Sequence, residues 1–152
     1  MMLFVSISAV GQNFTFSKTF SEFSSFAISE VAYDDIPIQN QTNQVLNLKW
    51  IKVSDSSPSA WDVRIEDPDS FYAVGIDTGY FSLDTVPGFS DLLGCYFFPK
   101  GVPGLGIVVM DVVQVDDSTQ RGTISWQYRA RDTTQSTSID KAQFVKRLKK
   151  KK

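Results

Sequence analysis

The chain has 152 residues, with 15 Lys and Arg against 17 Asp and Glu, one cysteine and no histidine. One domain of ordinary size accommodates it, and 42% hydrophobic with 13% aromatic residues exclude a wholly disordered chain. The net charge of −2 hides an asymmetry. Residues 141–152 hold seven basic groups and no acid, so the rest sets eight basic groups against all 17 acidic ones, a net of −9. An acidic body excludes a nucleic-acid groove, which needs a basic face for phosphates. A lone Cys95 excludes an internal disulfide. The missing histidine removes the Ser/His/Asp set, the commonest base for a catalytic thiolate, and zinc chemistry.

Taken in order, the chain opens on LFVSISAV, a short apolar run followed by small residues. It reads as the end of a cleaved export signal, residues 1–11, with the mature chain starting near Gln12. It is too short for a stable membrane span, which takes about 20 apolar residues. Asn13–Phe20 alternates, with Phe14, Phe16 and Phe20 on one face, and reads as a half-buried strand. Ser21–Ser25 is polar and loop-like. Phe26–Tyr33 reads as a strand that Asp34-Asp35 breaks. Ile36–Gln39 resumes at a sheet edge, because Pro37 has no N–H for a ladder.

Val45–Val53 is a strong strand, with Leu46, Leu48 and Trp50 on one face. After a Ser/Pro loop, Trp61, Val63 and Ile65 alternate with Asp62, Arg64 and Glu66. Phe71–Ile76 and Tyr80–Leu83 read as short strands around Asp77-Thr78-Gly79. Asp91–Val115 reads as two long strands joined by the Pro/Gly-dense PKGVPGLG, a tight hairpin turn. Cys95 falls mid-strand and reads as a small buried hydrophobe. Ile107–Val115 is apolar on both faces, which fits a strand covered on both sides or an interface. Gly122–Ala130 is the last clear strand, with Ile124, Trp126 and Tyr128 on one face. Residues 132–152 read as a flexible polar linker and basic tail.

Short strands with turn signals about every 8–12 residues give an all-β class, an antiparallel sandwich of about 7–9 strands over residues 12–131. Three sets of residues are candidate sites. Glu66, Asp67 and Asp69 offer hard oxygens for calcium, the only cofactor the composition suggests. Trp50, Trp61 and Trp126 offer rings on which a sugar would stack if they were exposed. Asp77 sits in an Asp-Thr-Gly string like that of aspartic peptidases, where two such aspartates share a proton.

Five pieces also occur in a recognisable order: LNLKW (Leu46–Trp50), a Pro loop and second tryptophan (Pro58, Trp61), FSL (Phe81–Leu83), YFFPKGVPGLG (Tyr96–Gly106), and a valine-rich strand ending in acids. From about Asp35 to Ala130 the chain resembles an immunoglobulin-like β-sandwich domain of bacterial secreted and surface proteins associated with type IX secretion, and the resemblance implies an immunoglobulin-like antiparallel sandwich. In that family a cysteine pair often follows the second tryptophan; this chain lacks it. The resemblance implies a secreted, periplasmic or cell-surface location. It also implies a non-enzymatic structural or adhesive module whose partner is a protein or a surface glycan. The family has no agreed ligand, so no binding residue carries over. Phe144–Lys150 resembles the last strand of a sorting domain, and Asp84-Thr85-Val86, Asp117-Ser118-Thr119 and Asp132-Thr133-Thr134 resemble the short O-glycan sites of related bacteria.

Overall fold

The computed structural model describes residues 11–86 and 88–133. The export-signal reading of residues 1–11, apart from Gly11, and the basic tail and sorting-strand reading beyond residue 133 lie outside the described residues. Among the described residues nine strands run in chain order: β1 (Phe14–Phe16), β2 (Phe20–Ser25), β3 (Ala32–Asn40), β4 (Leu46–Asp55), β5 (Asp62–Glu66), β6 (Thr78–Leu83), β7 (Asp91–Phe98), β8 (Gly104–Gln114) and β9 (Arg121–Ala130). They form two sheets. Sheet A has the order β1-β3-β7-β5, and sheet B has β2-β9-β8-β4-β6. Every pairing is antiparallel except β2 with β9.

The two inner faces interdigitate as period-two alternation requires. Sheet A contributes Ile36, Ile38, Val63, Ile65, Leu93, Cys95 and Phe97. Sheet B contributes Leu46, Leu48, Trp50, Val108, Met110, Val112, Ile124, Trp126 and Tyr128. At one end, Trp61, Phe97, Tyr128 and Phe23 pack ring against ring, with centroids 5.1–6.2 Å apart. The N-terminal entry is tied to the β8–β9 turn: the Asn13 amide donates to Gln114 Oε1 and its backbone N–H to Gln120 Oε1, both at 2.8 Å.

The chain departs from the sequence expectations at five places. Ser21–Ser25 is not a loop but most of β2. Its inward residues are Ser21, Phe23 and Ser25, and the parallel ladder to β9 stabilises it rather than apolar alternation. Ser21 is buried because its hydroxyl donates to the Asp34 carboxylate, which Lys18 also contacts at 3.0 Å. Burial opposes ionisation of Asp34, yet these two donors hold its carboxyl below the usual value. Phe26–Val31 is not a strand; regular structure starts at Ala32 and runs straight through Asp34-Asp35.

Pro37 lies inside sheet A rather than on an edge strand. Its carbonyl accepts from the Ser17 N–H at 3.0 Å, on the side where β1 has just ended, so no ladder bond is lost through its missing N–H. Phe71–Ile76 is a loop, with only Phe71 bridging to Glu66.

The PKGVPGLG stretch also differs from a hairpin. β7 belongs to sheet A and β8 to sheet B, so the segment carries the chain from one sheet to the other. Its turn, closed by the Val102 N–H donating to Pro99 O at 2.9 Å, places Lys100 and Gly101 at φ of 53° and 80°. Two positive φ values in succession are what a primed turn needs. Gly104 and Gly106 are strand residues of β8, not turn residues. β8 itself is central in sheet B and buried on its inner face, with Ile107, Val109 and Val113 half-buried on its outer face.

Candidate functional site

The three tryptophans are all in the core: Trp50 and Trp126 are fully buried and Trp61 is 6% exposed. None of them can stack a ligand ring, because each is packed into the core. Trp50 instead donates its indole N–H to Asp67 Oδ2 at 2.9 Å. Asp67 is itself buried and accepts three further bonds, from the Tyr72 hydroxyl at 2.7 Å and from the Asp69 and Ser70 N–H groups at 2.9 Å. Both its oxygens are thus turned to internal donors.

The other two calcium candidates point elsewhere. Glu66 lies on the outer face of sheet A and accepts from the Tyr96 hydroxyl at 2.5 Å. Asp69 Oδ2 accepts from the Ser82 N–H at 3.0 Å. That bond satisfies a donor on β6, an edge strand, which blunts the edge against further pairing. Among the described residues no three carboxylate, thiol or imidazole groups converge as a metal would require.

Asp77 is exposed at the start of β6, with Lys52 Nζ 3.0 Å from its carboxylate and 3.9 Å from that of Asp55. An ammonium group between two aspartates is the opposite of a proton-sharing dyad, which needs two carboxyls against each other. Gly79, last of the Asp-Thr-Gly string, is a packing glycine. A Cβ there would fall 2.3 Å from Trp50 Nε1 and 2.5 Å from the Tyr72 ring. Cys95 is fully buried, and burial pushes its thiol well above the ordinary value, which leaves it inert packing.

The unusual surface is the outer face of sheet A. Inward placement of Leu93, Cys95 and Phe97 turns Leu92, Tyr96 and Phe98 outward, and β3 adds Tyr33 beside them. Tyr33 and Tyr96 are direct cross-strand partners, and their rings stack at 4.5 Å between centroids. Phe71 meets Tyr96 edge to face at 4.9 Å. The Arg64 guanidinium lies 5.5 Å from the centroids of both Phe71 and Phe98. Gly94 makes room for the tyrosines: a Cβ there would come within 3.0 Å of Tyr33 and 3.4 Å of Tyr96.

Carboxylates flank the rings. In the next row of the sheet, Asp35 and Glu66 stand on either side of Gly94. The Tyr33 hydroxyl donates to Asp35 at 2.6 Å, as Tyr96 does to Glu66. Burial first, and then the bond to the adjacent carboxylate, raises both phenols, Tyr96 to about 12. Both stay protonated donors at any physiological pH. At the end of the face Lys100 pairs with Asp62 at 2.7 Å.

Tyr33, Phe71 and Leu92 remain 43–48% exposed. The outer face of sheet B is mixed: Arg121, Thr123, Ser125, Gln127, Lys49 and Ser82 share it with Ile51, Tyr80, Val109 and Val113, and Arg121 and Thr123 both bond Asp111. Tyr96 opens the YFFPKGVPGLG stretch and lies in the outward set of DLLGCYFF, which is apolar on both faces of one strand, whereas Tyr33 and Phe71 belong to no recognisable motif.

No protein-family model and no curated protein matches the sequence. Solved structures do match in shape. The N-terminal domain of PorA superposes with a TM-score of 0.61 at 10% identity, covering 80% of this chain and 90% of that one. A PapD-like (ASH) domain of human CEP192 superposes at 0.50 and 10% identity, covering 88% and 95%. The chain has an immunoglobulin-like β-sandwich fold. At such identities the likeness carries the fold and nothing about activity. Among the described residues no helix is long and apolar enough to cross a membrane.

Proposed function

We propose that this domain is a non-enzymatic, extracellular interaction module, structural or adhesive, and that it meets its partner on the outer face of sheet A. The observation that supports this most is the aromatic set Tyr33, Phe71 and Tyr96 on an otherwise open sheet face. A sheet face turned to water is ordinarily polar. A contiguous exposed aromatic patch with Arg at its centre has the composition of an interaction surface. The extracellular part rests on the apolar N-terminal run, and the type IX association on the Trp…Trp and FFPKGVPGLG resemblance. The sandwich domain is taken to span residues 12–131, with residues 1–11 as export signal and residues 132–152 as linker and tail. A peptidase role for Asp77 is not retained, because of its ion pair with Lys52.

The test is labelling of intact producing cells with the fluorescent purified domain. Wild type should decorate the cell surface. A variant with Tyr33, Phe71 and Tyr96 all changed to Ser, shown by circular dichroism to be folded, should lose at least nine-tenths of the signal. Equal labelling by both proteins would overturn the assignment of this face.

A further inference from the structure

We infer that the Tyr33–Tyr96 face is a binding site for a neutral pyranose glycan, which stacks on Tyr33 and hydrogen-bonds to Asp35, Glu66 and Arg64. This rests on the reading of the face as the interaction surface and names its ligand class. The geometry supplies the parts that a sugar ring needs. One side of Tyr33 is covered by Tyr96. On its other side sheet A has no strand, because β1 pairs only with Ile38–Asn40. Tyr33 as a whole stays 43% exposed. A pyranose presents a patch of C–H groups to such a ring and its hydroxyls to the rim, the division of apolar body and polar edge that aromatic sites favour.

The polar rim selects the ligand. The two phenols each occupy one lone pair of their carboxylate and fix the ring planes before anything binds. Neither Asp35 nor Glu66 is in an ion pair among the described residues. Each therefore keeps acceptor positions for a vicinal pair of hydroxyls, since an ionised carboxylate has about four. Arg64 is the complementary donor, its guanidinium held over Phe71 and Phe98, with Nε buried beneath and only the terminal nitrogens left to meet a ligand. Two carboxylates beside one guanidinium repel a sulfated or uronic-acid polymer. A neutral polyol uses both signs at once.

The experiment is affinity electrophoresis of the folded domain in gels containing a neutral polysaccharide (β-glucan, xylan, mannan or starch), followed by calorimetry with the matching hexasaccharide. Heparin and oligolysine serve as charged controls. The expected result is saturable binding to at least one neutral polymer. Tyr33→Ala and Asp35→Asn should weaken it at least tenfold. Tyr33→Trp, which keeps a stacking ring, should retain it, and Tyr80→Ala on sheet B should leave it unchanged. Retardation by none of the neutral polymers, binding that Tyr33→Ala does not weaken, or binding to oligolysine or heparin alone would overturn the inference. If the sugars fail while the triple-Ser variant still loses cell labelling, the glycan falls and the interaction face stands. If labelling persists as well, both fall.

Discussion

The indole N–H of Trp61 donates to the carbonyl oxygen of Val102 at 2.8 Å. One residue stands just before an edge strand of sheet A, and the other in the segment that carries the chain to sheet B. Around this bond Pro58 fills the space above Gly104, and the Trp61 ring covers Gly106, where a Cβ would lie 2.9 Å away. Gly101 is anchored too, its N–H donating to Ile28 O at 2.8 Å. Two of the stretches that carry the family resemblance are therefore one packed unit in space.

Removing that bond should cost real stability. Trp61→Phe gives up the donor, strands the Val102 carbonyl and leaves a cavity beside Tyr128. The expected loss is about 2–3 kcal/mol in urea denaturation. Gly106→Ala should cost about 1–3 kcal/mol by overpacking the same ring. The double variant should cost less than the sum, since both changes disturb one contact. Full additivity would mean that the ring and the glycine act independently.

Asp67 should be a structural anchor rather than a metal ligand. Asp67→Asn turns an amide NH₂ toward either Trp50 and Tyr72 or the two backbone donors, which leaves buried N–H or O–H groups unpaired. A loss of about 3 kcal/mol is expected. Thermal denaturation of the wild type in calcium and in chelator should give the same midpoint, because Glu66, Asp67 and Asp69 are engaged with three separate sets of donors. A calcium-dependent rise in Tm would restore the cation reading of this acidic stretch.

Neighbours in one short string should behave oppositely. Asp77→Asn removes an exposed ion pair to Lys52 and should change stability by less than about 1 kcal/mol. Gly79→Ala, two residues on, drives a methyl into Trp50 and Tyr72 and should cost about 3 kcal/mol. Urea melts of the two variants make the comparison. An inert Gly79→Ala would contradict the packing role assigned to that glycine.

Tyr33 and Tyr96 make the fold sensitive to base. Burial and the bonds to Asp35 and Glu66 raise both phenols above the ordinary value of 10.0, Tyr96 to about 12. A raised folded-state value stabilises the fold fully below the unfolded value. That contribution is lost as pH climbs from about 10 through about 12. Urea melts at stepped alkaline pH, read beside tyrosinate absorbance, should show stability falling in that window. The fall should shrink in the Tyr33→Phe and Tyr96→Phe variants.

Much of the sandwich was legible because its best strands alternate cleanly. Leu46, Leu48 and Trp50, then Trp61, Val63 and Ile65, then Ile124, Trp126 and Tyr128 announce their inward faces. β2 was not legible, since its inward positions are serines flanking Phe23, and what stabilises them is a partner about 100 residues away. The loop Phe71–Ile76 looks apolar enough for a strand, yet Asp67 and its donors fold the chain before it into a turn. The candidate site was hidden for a related reason. Tyr33 and Tyr96 are 63 positions apart, and only the β3–β7 register makes them neighbours over Gly94.

The most direct measurement is backbone amide mapping by NMR while soluble surface material from producing cells is titrated into the isotope-labelled domain. The expected perturbations cluster at Tyr33, Asp35, Arg64, Phe71, Gly94 and Tyr96, on the outer face of sheet A. Shifts gathered instead around Tyr80, Ile51 and Val113 on sheet B, or no shifts at all, would contradict the assignment of this face.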